Sequence, residues 1–136
     1  MYKNLLKNED GSVLVFTVIL IPVIIALGGL LIDFGLVSVE KSKLSNAVDS
    51  AAWAALDSYD KEKWEEEGEV ELIEERAYQL ADQYLKANLP HATLLNVYIE
   101  ENQVEVEAES VTKLYFMTLF GIREVTVKTS ATKKIG

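Results

Sequence analysis

The sequence predicts an α+β protein in which a long N-terminal transmembrane helix continues into a small domain with a second helix and an antiparallel sheet of three or more strands. Three observations predict this class. Residues 12–32 carry no charge. Hydrophobic residues then recur at helical spacing to about residue 59, and from Thr93 their spacing changes to two. A chain of 136 residues leaves room for one small domain after the span.

The uncharged run from Ser12 to Ile32 predicts a membrane span. Its 21 residues would form a helix of about 31 Å, which matches the thickness of a bilayer core. A membrane helix tolerates Pro22, and the run exceeds the hydrophobic region of a cleavable signal peptide. Two lysines lie near each end of the span, so the positive-inside rule does not decide its orientation. Because the larger part is the one expected to be exported, residues 1–11 are predicted to be a cytoplasmic stub and residues 33–136 an exported domain.

Helical periodicity continues beyond the span. Apolar residues and alanines at spacings of three and four predict a helix over residues 33–59, continuous with the span. The acidic segment 60–69 predicts a loop or a frayed helix start. A second amphipathic helix is predicted over residues 70–88, and it should end before Pro90.

Alternation of apolar and polar residues predicts three strands, at about residues 94–101, 103–110 and 124–133. The first two should form a hairpin around Glu101 and Asn102, with one buried and one solvated face. The most apolar segment of the exported part lies before the third strand and contains Leu114, Tyr115, Phe116, Met117, Leu119 and Phe120. These side chains either cover the hydrophobic face of the sheet or contact the membrane surface or a partner.

Composition limits the chemistry. The part beyond Asp33 has 19 acidic against 11 basic side chains, which argues against binding of nucleic acid or lipid headgroups. With no cysteine and the single histidine His91, neither a zinc site nor a catalytic triad with a nucleophile motif is indicated. The sequence has no glycine-rich nucleotide motif and no calcium-loop spacing. We therefore predict a non-enzymatic protein without a cofactor, a metal or a small-molecule substrate.

A ladder of alanines follows the span. Ala47, Ala51 and Ala55 recur at every fourth position, and small side chains let another helix approach closely. That helix is either the second helix of the same chain or a helix of another copy, and the sequence leaves both arrangements open. The candidate helix-packing residues are Gly28, Gly29, Asp33, Asn46, Ala47, Asp49, Ala51, Ala52 and Ala55.

The segment from Asp10 to Leu56 resembles the N-terminal segment of the TadE/TadG-like proteins of Flp (tight-adherence) pilus assembly. The shared features are Gly11 before the span, Pro22 within it, the glycine pair near its end, and Asp33 at its exit. They continue with NAVDSAAWAAL from residue 46, which is similar to the family signature LQNAADAAALAAA. The resemblance implies a pilin-like head on a single-pass membrane helix. It also implies a non-enzymatic structural subunit or assembly component of a Tad/Flp-type surface pilus, which self-associates through the helix and contacts other pilus components.

Two features depart from relatives of this kind. The larger TadG members carry a von Willebrand-type adhesion domain, for which these 136 residues leave no room and whose D-x-S-x-S metal motif they lack. Gly11 is the candidate processing site, but a type IV prepilin has Glu at the fifth position after its cleaved glycine, where this chain has Phe16. We therefore predict an uncleaved N-terminus. A membrane-anchored binding module with an exported α+β domain is the alternative function.

Overall fold

The computed structural model describes residues 9–68 and 71–135, and it confirms the α+β class. The helices are α1 (Glu9–Ala55), α2 (Lys61–Glu67) and α3 (Glu74–Asn88), and the strands are β1 (Thr93–Glu100), β2 (Gln103–Lys113) and β3 (Glu124–Lys134). Short 3₁₀ turns follow α1 at Leu56–Ser58 and precede β3 at Met117–Phe120.

Helix α1 is continuous over 47 residues, which corresponds to about 70 Å. It is long and apolar enough to cross a membrane by length and composition, and only 6% of its most apolar stretch is buried. Pro22 lies within this part. From Asp33 onward, one face of the helix is covered by the rest of the chain. The helix ends at Ala55 and continues as a 3₁₀ turn to Ser58, close to the predicted end at residue 59.

The segment after α1 contains a capped helix, where the sequence predicts a loop or a frayed helix start. The carboxylate of Asp60 accepts hydrogen bonds from the backbone N–H groups of Glu62 and Lys63, at 3.1 and 3.2 Å, and so begins α2. Gly68 ends α2 with a φ of 70°, a left-handed conformation that favours glycine. These two caps explain why so acidic a segment forms a short helix.

Helix α3 begins at Glu74, so the predicted start at residue 70 is wrong, and residue 70 itself lies outside the described residues. Leu72 forms a β-bridge with the chain just after α1. The N–H of Ile73 donates to the carbonyl of Ser58 at 3.1 Å. Leu72 is buried against the end of α1. The carbonyl of Ile73 accepts a hydrogen bond from the N–H of Ala77 at 2.8 Å, so α3 begins directly after this anchored segment.

The core lies between α1, α3 and the sheet. Helix α3 packs against α1, and the sheet covers both helices, with β2 and β3 over α1 and β1 over α3. The largest fully buried apolar side chains are Leu44, Leu85, Val48, Val104 and Val106. Ala77 and Ala81 of α3 are also fully buried, and small residues on facing helices allow their backbones to approach closely.

The sheet is antiparallel in the order β1-β2-β3. The predicted alternation in β2 is confirmed, since its inward residues Val104, Val106 and Ala108 are fully buried while the glutamates between them are half-exposed. The predicted hairpin turn at Glu101 and Asn102 is also present. Strand β2 extends to Lys113, three residues past its predicted end, because β3 pairs with it along its whole length.

Candidate functional site

The segment between β2 and β3, residues 114–123, is attached to α1 at Asp33. One carboxylate oxygen of Asp33 accepts hydrogen bonds from the backbone N–H groups of Tyr115 and Phe116, at 3.0 and 3.2 Å. The other oxygen accepts from the N–H of Met117, at 2.7 Å. These N–H groups lie at the start of the 3₁₀ turn, where no earlier carbonyl is available to them. Asp33 therefore acts as the acceptor that holds this segment, hereafter the β2–β3 loop, on the helix.

The contact with the β2–β3 loop keeps Asp33 ionised. Burial raises the pKa of its carboxyl group, but the three backbone hydrogen bonds from Met117, Tyr115 and Phe116 lower it by more, so the pKa lies below the ordinary 3.8. Hydrogen bonds to the charged form favour that form. Asp33 is only 3% exposed. A charged residue directly after an apolar span thus has its partners within the chain.

Gly29, one helical turn before Asp33, provides the space for the β2–β3 loop. A Cβ at this position would lie 2.3 Å from Cδ1 and 2.4 Å from Cγ of Phe116. A Cβ at the neighbouring Gly28 would have nothing within 4 Å. The two members of the glycine pair therefore differ: Gly29 receives the ring of Phe116, whereas Gly28 is open to a neighbour.

We predict that Gly29→Ala displaces the loop and Gly28→Ala does not. A Cβ at Gly29 overlaps the ring of Phe116, and overpacking of this kind costs about 1–3 kcal/mol. Hydrogen exchange of the full chain in nanodiscs should show faster exchange of the amides of residues 115–117 in Gly29→Ala only. Equal exchange in the two variants would show that Phe116 does not depend on this glycine.

The β2–β3 loop directs some side chains inward and others outward. Leu114 is buried, and Phe116 and Met117 are half-buried. Tyr115, Leu119 and Phe120 are 69%, 83% and 74% exposed. The sequence allowed either coverage of the sheet or outward contact for these six residues. In the structure, Leu114 joins the interior, and three large side chains project from the surface near the end of the predicted span.

The alanine ladder lies in the interior of the chain. At most 1% of the surface is exposed for each of Ala47, Ala51, Ala52 and Ala55, because α3 and the sheet pack over this face of α1. Of the two arrangements that the sequence allowed, the structure contains the one within the chain. The ladder is therefore a core element and does not offer a surface to another copy.

The other predicted packing residues lie apart from the ladder. Asn46 is exposed on α1. The carboxylate of Asp49 is 2.6 Å from the Nζ of Lys133 and so links α1 to β3. Gly11 is exposed near the start of α1, and a Cβ there would meet nothing within 4 Å.

Glu40 and His91 form a side-chain hydrogen bond that sequence analysis missed. Glu40 lies on α1 and is 7% exposed, and its carboxylate contacts Nε2 of the half-exposed His91 in the connection between α3 and β1. The signal in the sequence was the spacing of Glu40, which stands four residues after Leu36 and four before Leu44. Burial raises the pKa of Glu40, but the hydrogen bond to His91 and the charges of His91 and Lys43 lower it below the ordinary 4.5.

We predict that Glu40 contributes to the loss of stability in acid. Its pKa is lower in the folded state than in the unfolded state, so its contribution is present above pH 4.5 and is lost as the pH falls through the folded value. Urea unfolding of the full chain in nanodiscs should give a shallower loss of stability below pH 4.5 for Glu40→Gln than for the unchanged chain. Glu65→Gln, at an exposed position on α2, is the control. An unchanged slope in Glu40→Gln would contradict the assignment.

An aromatic groove, also missed in the sequence, lies where the ends of α1, α2 and β3 meet. It has a volume of about 880 Å³, and its lining includes Trp53, Tyr59, Trp64, Tyr84 and Ile135. The Nζ of Lys133 lies 5.0 Å above the ring of Trp53, a cation–π distance. The sequence signal was the interruption of the alanine ladder by a single large residue, Trp53.

Within residues 9–68 and 71–135, no group of three or more His, Cys, Asp or Glu side chains is placed to hold a metal ion. The acidic helix α2 has its charges spread over exposed positions. Aspartate at its cap and glutamate in its first turn suit the positive end of the helix dipole.

The segment that carries these contacts matches one known family. The family model described as "Putative Flp pilus-assembly TadE/G-like" matches residues 11–58. The resemblance predicted from the sequence is thereby confirmed for this TadE/G-like segment, which is 48 of the 136 residues. The segment coincides with α1 and its 3₁₀ turn, and it includes Gly29, Asp33 and the alanine ladder. Searches of curated proteins and of solved structures found no significant match.

Proposed function

We propose that this protein is a non-enzymatic, single-pass membrane component of a Tad/Flp-type pilus, acting as a structural subunit or an assembly factor. Residues 12–32 cross the cytoplasmic membrane, residues 1–11 form a cytoplasmic stub and the domain from residue 33 lies outside. Its partners are membrane lipid, other pilus components and further copies of the chain.

One observation carries the proposal. The TadE/G-like segment is a single helix whose first half is apolar and, apart from the contacts of Gly29 and Asp33 with the β2–β3 loop, exposed in the described chain. Its large side chains are mostly between 40% and 70% exposed, as for Phe16, Ile24 and Leu27. In water such a surface is unfavourable by about 25 cal/mol for each Å². The half-helix therefore requires lipid, neighbouring helices, or both in succession.

The proposed contact between copies uses the half of α1 that lies before the head. The alanine ladder is occupied by α3, so it is not the contact. Gly28 is an open small residue near the end of this half of α1, since a Cβ at this position would have nothing within 4 Å. Small residues let membrane helices pack closely, where van der Waals contact replaces the hydrophobic effect as the driving force.

The test is fractionation of sheared cells together with mass spectrometry of the N-terminus. A filament subunit would be recovered in the sheared fibres, whereas an assembly factor would stay in the membrane pellet. For both roles, we expect deletion of the gene to abolish pili. We expect Met1 to be retained, since Phe16 occupies the position of the prepilin glutamate. Normal piliation without the protein would contradict the proposal, and an N-terminus at Ser12 would contradict the lack of processing.

A second candidate is a membrane-anchored binding module, and the aromatic groove is the observation that favours it. Exposed tryptophan and tyrosine side chains are common at protein interfaces, and Trp53 and Trp64 are 57% and 50% exposed. If another pilus component binds in this groove, Trp53→Ala should abolish the co-purification of that component with the full chain. The variant should still fold, and Trp64 should still line the groove. Tyr98→Ala, at an exposed position on β1, is the matched control.

A further inference from the structure

We propose that the β2–β3 loop is a second membrane contact, in which Leu119 and Phe120 enter the interface of the same bilayer that α1 crosses. The inference rests on the membrane span of the proposed function and adds a surface of the head to it. Its chemical partner is the phospholipid interface, where headgroups meet acyl chains. The consequence is a head held in a fixed orientation on the membrane.

The position at which the loop is attached to α1 indicates how deep the loop lies relative to the membrane. The ring of Phe116 lies against Gly29, and the loop backbone is bonded to Asp33. Gly29 is three residues inside the end of the span at Ile32, which is about 4.5 Å of helix. Segments that lie in the membrane interface bury their apolar side chains about 5–10 Å into the boundary of headgroups and acyl chains. The loop is therefore attached at the level where an interfacial segment lies.

The loop carries exposed apolar side chains and is attached to α1 at the end of the span. Leu119 and Phe120 are 83% and 74% exposed on the loop, and Leu31 and Phe34 are each 71% exposed on α1 nearby in the chain. Tyr115, at 69% exposed, adds a ring with a polar end, which is typical of residues at the membrane interface. A surface this apolar is unusual for a head in water. Its attachment to α1 at the end of the span points to lipid as the partner.

The charge of the loop differs from that of the head. Residues 114–122 carry no charge, and Lys113 and Arg123 stand at the two ends, where the N–H of Leu114 donates to the carbonyl of Arg123 at 2.9 Å. Glu124 lies opposite Lys113 in the sheet, and the carboxylate of Asp33 is bonded to the loop, so the charges around the loop balance. The net acidity of the head argued against contact with headgroups, but this part of its surface is apolar at the tip and has no net charge at the base.

The experiment uses the absence of cysteine from the chain. A spin label is attached to the single cysteine of Leu119→Cys in the full chain, with one copy per nanodisc of phosphatidylethanolamine and phosphatidylglycerol. Accessibility to oxygen and to a water-soluble nickel chelate then gives the depth of the label. Tyr98→Cys, exposed on β1, is the control for water, and Ile24→Cys, exposed on α1, is the control for lipid.

We expect the label at residue 119 to lie about 5–10 Å below the headgroup level, between the depths of the two controls. A label at 119 as accessible to nickel as the one at 98, with the label at 24 still in lipid, would overturn the loop contact alone. If the nickel chelate also reached the label at residue 24, the membrane span would be overturned, and with it the proposed function. Protection that occurs only with several copies per disc would assign the loop to contact between copies and would also overturn the inference.

Discussion

Replacing Ala51 by leucine is expected to destabilise the head without affecting insertion of α1 into the membrane. Ala51 is fully buried on the face of α1 that α3 and the sheet cover. A leucine side chain at this position would push α1 and α3 apart. Overpacking in a close-packed interior costs about 1–3 kcal/mol, and occasionally more. Urea unfolding of the full chain in nanodiscs measures the change, with carbonate extraction as the test of insertion.

Ala87→Leu is the matched control, because Ala87 is exposed on α3 and leucine forms helices nearly as well as alanine. The pair also separates the two arrangements of the ladder. A stable head that fails to associate with other copies in Ala51→Leu would mean that the ladder contacts another copy. A destabilised head, which we expect, means that the ladder is the core of one chain.

Replacing Asp33 by alanine is expected to detach the β2–β3 loop from α1. The change removes the acceptor of three backbone hydrogen bonds, two of them shorter than or equal to 3.0 Å. Alanine offers no acceptor in its place, so the N–H groups of residues 115–117 are left without their partner. Buried donors without a partner are unfavourable. Hydrogen exchange should become fast at these three amides in particular.

Two further variants make the Asp33 result specific. Asp33→Asn keeps one side-chain oxygen but loses the charge and the second acceptor, so its exchange should lie between those of alanine and the unchanged chain. Asp57→Ala removes an exposed aspartate close to the end of α1 and should leave the loop unchanged. Slow exchange of the loop amides in Asp33→Ala would show that other contacts, such as that of Phe116 with Gly29, are sufficient.

Asp33 and Gly29 also show which features of the site could be predicted from the sequence and which could not. Both were selected from the pattern of the span and from the resemblance, but as residues that face another helix. In the structure their partner is a loop more than 80 residues further along the chain. The sequence reveals that an aspartate and a glycine stand at the exit of the span. It does not reveal what fills the space, because backbone N–H groups are provided equally by every residue except proline.

The α+β class, the apolar span and the strands were determined by the sequence, because each produces a local pattern of residues. The span is an uncharged run, the helices have apolar residues at spacings of three and four, and the strands alternate apolar and polar residues. The tertiary structure decided whether the alanine ladder packs within or between chains. It also decided which glycine of the pair receives a ring, and that Glu40 meets His91. These outcomes depend on pairs of residues far apart in sequence, and no local pattern specifies which of several compatible surfaces comes to lie against another.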